Sequence, residues 1–452
     1  MKRKFLKGLM IGVCLALFLT WSTGFGKIEA KTVKLDTIQL WTNNSATKAE
    51  DEKMVADFNN GAGKNKGIKI DYRIYGGDYN NVLNIAAAAN EAPHLFKLQQ
   101  GSIGQFIKVG WVIPIETMPG GKGFLQKYRG YLQPGYNLFN GKTYSVPIAV
   151  STLGVAYNKD LLKRNGFTKP PATWNELREM AKVITKNGEG KEFGIIEGLK
   201  STGIVSANGL WHYASSVGHS QFNQKTGRFD YESQKPMLQL WADLKADGSW
   251  FPGIESLSND QARAQFAEGN IGFKLSASWD PAVWADQFPT KMNWGICRPV
   301  ENLKNRYRDY AYQTFSVFLG SKAKELPGKS MEILKLFSSD AMIVNLYESG
   351  KQIPYKPELL KMSKVHPTMK NFADFADLSS TYRYPMSPKA YLKVEGETEE
   401  VVVTKVILGY MSPEQAVADL DIRYNEALDR AVKEGLDISL YIDETDLKFK
   451  EK

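Results

Sequence analysis

The sequence is poor in the residues that cross-link a fold or bind zinc. Its 452 residues include two cysteines and four histidines. Cys14 lies in the N-terminal segment, so the remainder of the chain has only Cys297 and cannot form an intramolecular disulfide. No histidine falls in a Cys/His cluster with zinc-ligand spacing. The fold must therefore be stabilised by its hydrophobic cores, and we expect Cys297 to be a small buried apolar residue.

Long apolar runs and dense basic runs are also missing beyond the N-terminus. No later segment approaches the roughly 20 apolar residues that span a bilayer. The formal net charge is +9, and residues 1–30 carry five basic side chains and one acid, which leaves +5 for the rest. That excess is mild and scattered, so we expect no nucleic-acid partner. The chain has no Gly-x-Ser-x-Gly elbow, phosphate-binding loop or zinc motif, so we predict no enzyme, no cofactor and no metal site.

The first 30 residues have the order of a secretory signal peptide. Residues 1–7 are positively charged, 8–21 are mostly apolar and uncharged, and a more polar stretch ends at Ala30. We predict cleavage after Ala30 and a location at the outer face of the cytoplasmic membrane. Lipid anchoring at Cys14 is not expected, because Val13 stands where a small residue is needed.

Strands alternate with helices in the N-terminal third. Strand patterns cover 33–41, 68–74 and 95–98, and the stretches between the first two and the last two have helical periodicity. This alternation predicts an α/β fold with a largely parallel sheet, in which ligands bind beyond the carboxyl ends of the strands. The polar and glycine residues at those ends are Asn43, Asn44, Gly77, Asp78, Gln99 and Gln100. Each could equally serve as a turn or helix cap.

Two later segments have helix-start signals. Thr173 with Glu176 forms a capping box, and Ser412 precedes a proline at the first helical position. The charged stretch 395–400 is interpreted as a solvated turn or helix start. At 452 residues with 43% hydrophobic content, the chain is long enough for at least two cores.

Four sequence stretches, taken in order, resemble a known family. The first is Gly141-Lys-Thr-Tyr-Ser-Val-Pro-Ile-Ala-Val-Ser-Thr-Leu-Gly-Val-Ala-Tyr-Asn-Lys-Asp-Leu-Leu162, continued by Pro170-Pro-Ala-Thr-Trp-Asn-Glu-Leu177. The others are Phe266 to Phe273 followed by Ser278-Trp279, Gly350-Lys-Gln-Ile-Pro354, and the helix start at 412–416. Together they resemble extracellular solute-binding proteins of the maltose-binding type, which are receptors of ABC importers.

The resemblance implies a two-lobed periplasmic-binding-protein type II-like fold with a ligand cleft between the lobes. The N-terminal lobe would comprise 31–148 plus 315–350, and the C-terminal lobe 152–311 plus 351–452. Hinge segments are expected near 148–151, 312–315 and 350. The protein would be a monomer that captures a carbohydrate, most simply an oligosaccharide, and delivers it to the permease subunits of an ABC transporter.

A sugar site needs amides and carboxylates for paired hydrogen bonds and aromatic rings for stacking. The chain has 10 Trp, 21 Tyr and 22 Phe, which serve either large cores or such stacking surfaces. Trp279 is the leading candidate because of its place in the family segment, with a core tryptophan as the alternative. Trp211 follows Asn208-Gly209, a loop-like break, and either stacks on ligand or packs internally. The full candidate set is Asn43, Asn44, Asp78, Gln99, Gln100, Trp211, Trp279, Asp280 and Gln352.

Some positions depart from the maltose-binding pattern. His94 follows Pro93 where the family often has an acid, and Ser151 replaces a carboxylate in the first crossing segment. Maltose itself is therefore not assigned. An anionic sugar derivative, such as a uronide or sugar phosphate, is the first alternative, with candidate clamps at Arg298, Arg306, Arg308 and Arg383. A glycoside hydrolase is the second, and it would need two carboxylates facing each other, for which Asp280 and Asp309 are available.

Overall fold

The computed structural model describes residues 35–75, 79–98, 103–200, 203–314, 316–367, 369–384 and 386–448, with the backbone alone at 203–208 and 390. The signal-peptide prediction and the question of Cys14 fall outside these residues. Helices and strands alternate along much of the described chain. The strands are β1 (Asp36–Thr42), β2 (Ile68–Ile74), β3 (Leu95–Leu98), β4 (Leu138–Phe139), β5 (Lys142–Thr143), β6 (Ser145–Pro147), β7 (Ala149–Asn158), β8 (Phe193–Ile195), β9 (Phe222–Asn223), β10 (Arg228–Phe229), β11 (Ile271–Ala277), β12 (Trp294–Cys297), β13 (Asp309–Gln313), β14 (Ser316–Leu319), β15 (Ile353–Pro354) and β16 (Thr381–Arg383).

The α-helices vary from single turns to a long C-terminal helix of 21 residues. They are α1 (Lys48–Asn60), α2 (Ala62–Lys66), α3 (Tyr79–Ala88), α4 (Ile103–Lys108), α5 (Gly121–Leu125), α6 (Lys159–Arg164), α7 (Trp174–Asn187), α8 (Gly203–Val217), α9 (Lys235–Ala246), α10 (Asn259–Ala267), α11 (Asp280–Asp286), α12 (Pro327–Phe337), α13 (Asp340–Glu348), α14 (Phe372–Ala376), α15 (Glu399–Leu408) and α16 (Pro413–Lys433). No described helix is long and apolar enough to cross a membrane.

One sheet, the first sheet, is built mainly from the N-terminal third of the chain. Its strand order is β2-β1-β3-β14-β6, with β1 parallel to both β2 and β3 and with β14 antiparallel to its neighbours. Alternate side chains of β14 enter different cores: Val317 and Leu319 join one cluster, and Phe318 joins the other. The first sheet is therefore buried on both faces, which explains the apolar runs of its strands.

The largest described sheet, the second sheet, is organised around the long strand β7, and the pairs β4-β5 and β9-β10 form separate two-stranded sheets. Its order is β16-β13-β7-β11-β8, and β12 and β15 also pair with β7. A large core covers it, in which α7, α8, α9, α15 and α16 contribute buried side chains. Helix α16 starts after Ser412 as predicted; Ser412 and Gln415 form a capping box, and Val417, Leu420 and Tyr424 lie on the buried stripe of the helix.

The chain passes between the two sheets at closely spaced points. Strand β6 ends at Pro147 in the first sheet and β7 begins at Ala149 in the second. The return passage separates β13 from β14, and Thr314 is its described residue. In the second sheet Val150 lies opposite Gln313 and Ser151 lies opposite Tyr312, so the two crossing strands are paired where they leave that sheet.

The lobe boundaries stay a prediction, and one observation bears on them. Strand β15 pairs with β7 of the second sheet. The core cluster that contains Ile38 and Leu40 of the first sheet nevertheless includes side chains from this part of the chain: Ile353, Tyr355, Leu359, Phe372 and Phe375. These side chains thus share a core with the first sheet and with Val150 and Ala311 of the second, whereas the later helices α15 and α16 pack in the other large core.

One local prediction from the sequence is wrong, and a second holds except at one residue. Asn208-Gly209 is not a loop but lies inside α8, where a Cβ on Gly209 would come 2.2 Å from the ring of Trp241. The glycine therefore serves close helix packing and not a chain break. The stretch 395–400 does start a helix at Glu399, but Glu399 is fully buried and not solvated. It accepts hydrogen bonds from Tyr231 Oη at 2.5 Å and Lys389 Nζ at 2.7 Å, which offset the burial of its charge.

Candidate functional site

Four aromatic side chains form one group, the aromatic cluster, beside the crossing strands of the second sheet. They are Trp211, Trp279, Tyr312 and Tyr384. The ring centroid of Tyr312 lies 5.6 Å from that of Trp211, 6.3 Å from that of Trp279 and 6.4 Å from that of Tyr384. Trp211 also contacts Tyr384 at 5.2 Å. Tyr312 is buried, whereas both tryptophans are partly exposed, so the cluster offers aromatic edges and faces at a surface.

Local sequence explains how these rings meet. In β13 the period of two puts Tyr310 and Tyr312 on one face of the sheet, and the side chain of Ser151 opposite Tyr312 shares that face. Trp279 lies two residues beyond the end of β11 and is the N-cap residue of α11. The second-sheet core thus places Trp279 at the end of a strand, which is where open α/β sheets bind ligands.

The hydroxyl of Tyr312 is buried without a hydrogen-bond partner among the described residues. Burial raises the pKa of Tyr312 well above its ordinary value, and the nearby charge of Asp280 acts in the same direction. The phenol therefore stays protonated and can donate. Beside it lies a small cavity of about 20 Å³, large enough for a water-sized group. Its lining includes Leu153, Trp211, His212, Tyr312 and Tyr384.

Asp280 is almost fully buried beneath Trp279, and its carboxylate already has protein partners. It accepts hydrogen bonds from Ser276 Oγ at 2.8 Å, from the Ala277 amide at 3.1 Å and from Arg263 Nε at 2.9 Å. Because the Ala277 amide and the start of α11 are fixed by one carboxylate, the loop that carries Trp279 between them is held rigidly.

A second buried charge pair supports the same region. Lys274 Nζ lies 2.9 Å from Glu197 Oε2, and the other carboxylate oxygen accepts the Leu275 amide at 2.6 Å. Burial raises the pKa of Glu197, while the charge of Lys274 lowers it. Both Glu197 oxygens and both Asp280 oxygens are hydrogen-bonded, so these two carboxylates near Trp279 are satisfied by the protein itself.

The ends of β1 and β2 present a different surface in the first sheet. Trp41, Tyr75 and Tyr79 form a row of rings with centroid separations of 5.3 and 5.7 Å. Asn43 is half-buried, and its side-chain oxygen has no partner in the described part of the chain. Asn44 is buried, and its backbone amide donates to Thr42 Oγ1 at 3.0 Å. Here rings and an unpaired amide oxygen lie side by side.

Beneath these strand ends lies a third buried pair. Lys97 Nζ is 2.6 Å from Asp51 Oδ2, which also accepts from Tyr72 Oη at 2.9 Å and Thr47 Oγ1 at 3.0 Å. The other Asp51 oxygen has no partner among the described residues. All three donors thus bond to one oxygen, unlike the carboxylates of Glu197 and Asp280, in which both oxygens are bonded.

The remaining predicted residues fall into two groups. Gln352 is half-buried just before β15, and the preceding Lys351 forms an ion pair with Asp286 at the end of α11, with an N–O distance of 2.7 Å. Asp78, Gln99 and Gln100 lie outside the described residues, so their proposed roles stay predictions. Within the described ranges no group of His, Cys, Asp and Glu could hold a metal ion.

The structure brings Trp211 and Trp279 together around Tyr312, while Asn43 and Asn44 lie at the strand ends of the first sheet. Sequence reasoning missed Tyr312 and Tyr384 as members of the cluster. The alternation Tyr310-Ala311-Tyr312 was the available signal for Tyr312, because it places two aromatic side chains on one face of a strand. Tyr384 has no such signal, since only the pairing of β16 with β13 brings it near.

The family comparison agrees with this geometry. Residues 42–342 match the model of the bacterial extracellular solute-binding protein family. The chain belongs to this family. As a member of the solute-binding family it has the two-lobed α/β fold that the sequence predicted, and that prediction is confirmed. The family consists of solute-binding receptors, so the predicted receptor role is confirmed as well.

Individual proteins show how distant the similarity is. A binding protein of Brucella abortus is 23% identical over 297 residues, which cover 61% of this solute-binding protein and 71% of the relative. The multiple sugar-binding protein of Streptococcus mutans is 26% identical over 57% of this chain and 61% of its own. The GacH receptor of Streptomyces glaucescens, solved unliganded and with acarbose, superposes with a TM-score of 0.69 at 19% identity over 88% of this chain and 98% of its own.

Proposed function

We propose that this protein is the extracytoplasmic binding subunit of an ABC importer and that its ligand is a neutral oligosaccharide. The observation that carries the proposal is the pairing of an aromatic cluster with an unsatisfied polar surface on the other sheet. Rings stack on the C–H faces of sugars, and amide and phenol groups exchange hydrogen bonds with hydroxyls. Closure of the two lobes over the ligand would complete both sets of contacts.

Relatives support a carbohydrate as the ligand class. The matching proteins include one named for multiple sugars and a maltotriose-binding protein of Pyrococcus abyssi, which is 31% identical over 38% of each chain. Among similar folds is a maltose/maltodextrin-binding domain of Bdellovibrio bacteriovorus bound to maltotriose, with a TM-score of 0.66 at 19% identity. Export, a monomeric state, delivery to permease subunits and the absence of catalysis are parts of the same proposal.

The arginines considered as anion clamps favour a neutral ligand. Arg298 donates to the Leu153 and Asp374 carbonyls at 3.0 and 2.9 Å. Arg306 donates to Asp309 at 3.1 Å, and Arg383 lies 3.6 Å from Asp443. Arg308 is exposed. The first three guanidinium groups therefore have protein acceptors already, and a ligand anion would have to compete with them.

The same contacts weigh against a hydrolase. Asp280 is bonded to Arg263, and Asp309 lies against Arg306 and, at 3.8 Å, Arg298. A retaining or inverting glycosidase needs one carboxyl group to hold a proton and the other to face the sugar or a water. Neither aspartate is arranged for these tasks, because each is paired with an arginine.

A glycan panel tests the proposal. Calorimetry against α- and β-linked gluco-, xylo- and galacto-oligosaccharides should give one ligand class with 1:1 stoichiometry and weak salt dependence. Trp279→Ala should weaken its binding by about 2 kcal/mol, roughly 30-fold, with little loss of stability because the ring is partly exposed. Tyr410→Ala, which removes an exposed ring from the α15–α16 turn, is the matched control. Unchanged affinity in Trp279→Ala, or binding that collapses with salt, would contradict the proposal.

A further inference from the structure

A second concave surface lies on the other face of the crossing strands. We name it the hinge groove. Its volume is about 390 Å³, within the roughly 300–1,000 Å³ typical of small-molecule sites. Its lining residues are Gly130, Tyr131, Val150, Ala311, Gln313, Tyr355, Pro357, Leu378, Thr381, Tyr382 and Arg383. None of them belongs to the aromatic cluster.

Strand register separates the groove from the aromatic cluster. Val150 lies opposite Gln313, and Ser151 lies opposite Tyr312. Because side chains alternate along a strand, Gln313 and Val150 face one side of the sheet while Tyr312 and Ser151 face the other. Binding in the groove would therefore involve none of the rings that form the cluster.

Gln313 gives the groove an unused polar group. It is 7% exposed, and its amide nitrogen donates to the Tyr131 carbonyl at 3.2 Å. Its amide oxygen is buried with no partner among the described residues. A buried acceptor without a donor is unfavourable, and because Gln313 lines the groove, a ligand hydroxyl that reaches this oxygen would satisfy it. The unpaired oxygen thus points to a ligand that carries O–H donors.

The walls favour a neutral ring. Tyr131 and Tyr355 meet edge to face at 5.2 Å and offer aromatic surface, and Val150 with Ala311 forms an apolar floor. The charged side chain Arg383 has Asp443 at 3.6 Å, so the groove offers no isolated charge from that side. Aromatic surface, an apolar floor and a hydroxyl acceptor are the features that hold sugar rings.

We propose that the hinge groove is a second carbohydrate site, which takes a neutral sugar of one or two rings. The groove joins side chains from both parts of the molecule: Tyr131 and Tyr355 pack with the first-sheet core, and Thr381 and Arg383 belong to β16 of the second sheet. Its width therefore depends on the angle between the lobes. A sugar bound there favours the angle at which both walls touch it.

The test uses a variant that lacks the two tryptophans of the aromatic cluster, so that binding in the proposed cleft is lost. In a Trp211→Ala/Trp279→Ala variant, saturation-transfer NMR is recorded with D-glucose, D-xylose, D-galactose, maltose and cellobiose at millimolar concentration. At least one sugar should still receive saturation. Adding Thr381→Tyr or Leu378→Tyr, each of which fills the groove, should weaken that binding at least about tenfold, equivalent to about 1.4 kcal/mol. Thr168→Tyr, in an exposed loop, is the control and should have no effect. Thermal unfolding verifies that each variant is folded.

The outcomes separate this proposal from that of the cleft. Residual binding that disappears in both groove-filling variants supports the second site, even if the wild-type protein shows no tryptophan-dependent binding and the cleft proposal fails. Two results would overturn the second site: no residual binding of any of the sugars, or residual binding that neither substitution weakens. In either case, tryptophan-dependent binding in the wild type would still support the cleft. A groove occupied by a permease segment and not by sugar would give the first of these two negative results.

Discussion

The strand ends of the two sheets differ in how their buried polar side chains are hydrogen-bonded. In the second sheet, Glu197 and Asp280 lie beneath Trp279 with all carboxylate oxygens hydrogen-bonded by the protein. In the first sheet, Asp51 and Asn43 each keep an oxygen without a partner among the described residues. In the second region the buried carboxylates have no oxygen left to bond and the Tyr312 hydroxyl is the unpaired group of the aromatic cluster, whereas the first region keeps unpaired acceptor oxygens among the described residues.

This difference indicates a division of labour in the binding site. A stacking surface works best when it is fixed, because a ring already ordered loses little entropy when it contacts a ligand. A hydrogen-bonding surface selects best when its groups are unpaired until the correct ligand arrives. Under the proposed function, the second sheet would therefore supply affinity through rigid rings, and the first sheet would supply selectivity through amides and hydroxyls.

The largest expected effect comes from breaking the buried Glu197–Lys274 ion pair of the second sheet. Glu197→Ala leaves Lys274 buried without its carboxylate, so the free energy of unfolding should fall by about 3–5 kcal/mol in urea denaturation. A Glu197→Leu/Lys274→Met double variant should recover most of that loss, since no uncompensated charge remains. A loss below about 1 kcal/mol in the single variant would mean that the pair does not hold the region rigid.

A smaller effect is expected in the first sheet, where the free energy of unfolding should depend on pH through His94. His94 is buried at the start of β3; burial lowers its pKa, and the charge of Lys322 lowers it further. A folded-state pKa below the unfolded value of about 6.5 gives stability that is present above pH 6.5 and is lost as pH falls through the folded-state pKa. The contribution of His94 to the free energy of unfolding should change by no more than about 1.4 kcal/mol per pH unit.

The matching variant is His94→Asn, whose side-chain oxygen can still accept the Gln39 amide that bonds His94 Nδ1 at 3.3 Å. Between pH 7 and 5 its unfolding free energy should decline less steeply than that of the wild type. His366→Asn, at an exposed position, should decline as the wild type does. Equal slopes for His94→Asn and wild type would show that His94 is not the group responsible.

The smallest effect is expected at Asn43, and it tests whether the first sheet determines which sugar is preferred. Asn43→Ala should weaken the preferred sugar by about 1 kcal/mol, the net worth of one hydrogen bond, and should narrow the affinity gap between that sugar and its hydroxyl epimers. Asn59→Ala, which removes an amide bonded to Ile70 in the same sheet, should leave the gap unchanged. Calorimetry with epimer pairs measures both, and an Asn43 variant that retains full discrimination would remove the first sheet from the selective role.

The sequence was sufficient for the features that depend on local chemistry. Ser412 and Thr173 cap their helices as predicted, although Glu176 bonds the Ala172 amide and not that of Thr173. Cys297 is buried in the core, as expected for a lone cysteine in this chain.

Features that depend on tertiary packing escaped prediction. Gly209 resembles a chain break until Trp241 is seen against it, and Glu399 resembles a solvated charge until Tyr231 and Lys389 are placed beside it. Tyr384 joins the aromatic cluster through a pairing between strands that are far apart in sequence. Single-sequence patterns report the neighbours of a residue along the chain, and these three positions are determined by neighbours in space.

The central claim is that one sugar is held jointly by the rings of the second sheet and the polar groups of the first. A crystal structure of the protein with the tightest-binding oligosaccharide tests this most directly. The account predicts that a sugar ring lies within about 4 Å of the Trp279 or Trp211 side chain while a hydroxyl of the same molecule bonds to the side chain of Asn43 or a neighbouring first-sheet residue. A sugar bound outside the cleft, or one that touches only one of the two sheets there, would contradict it.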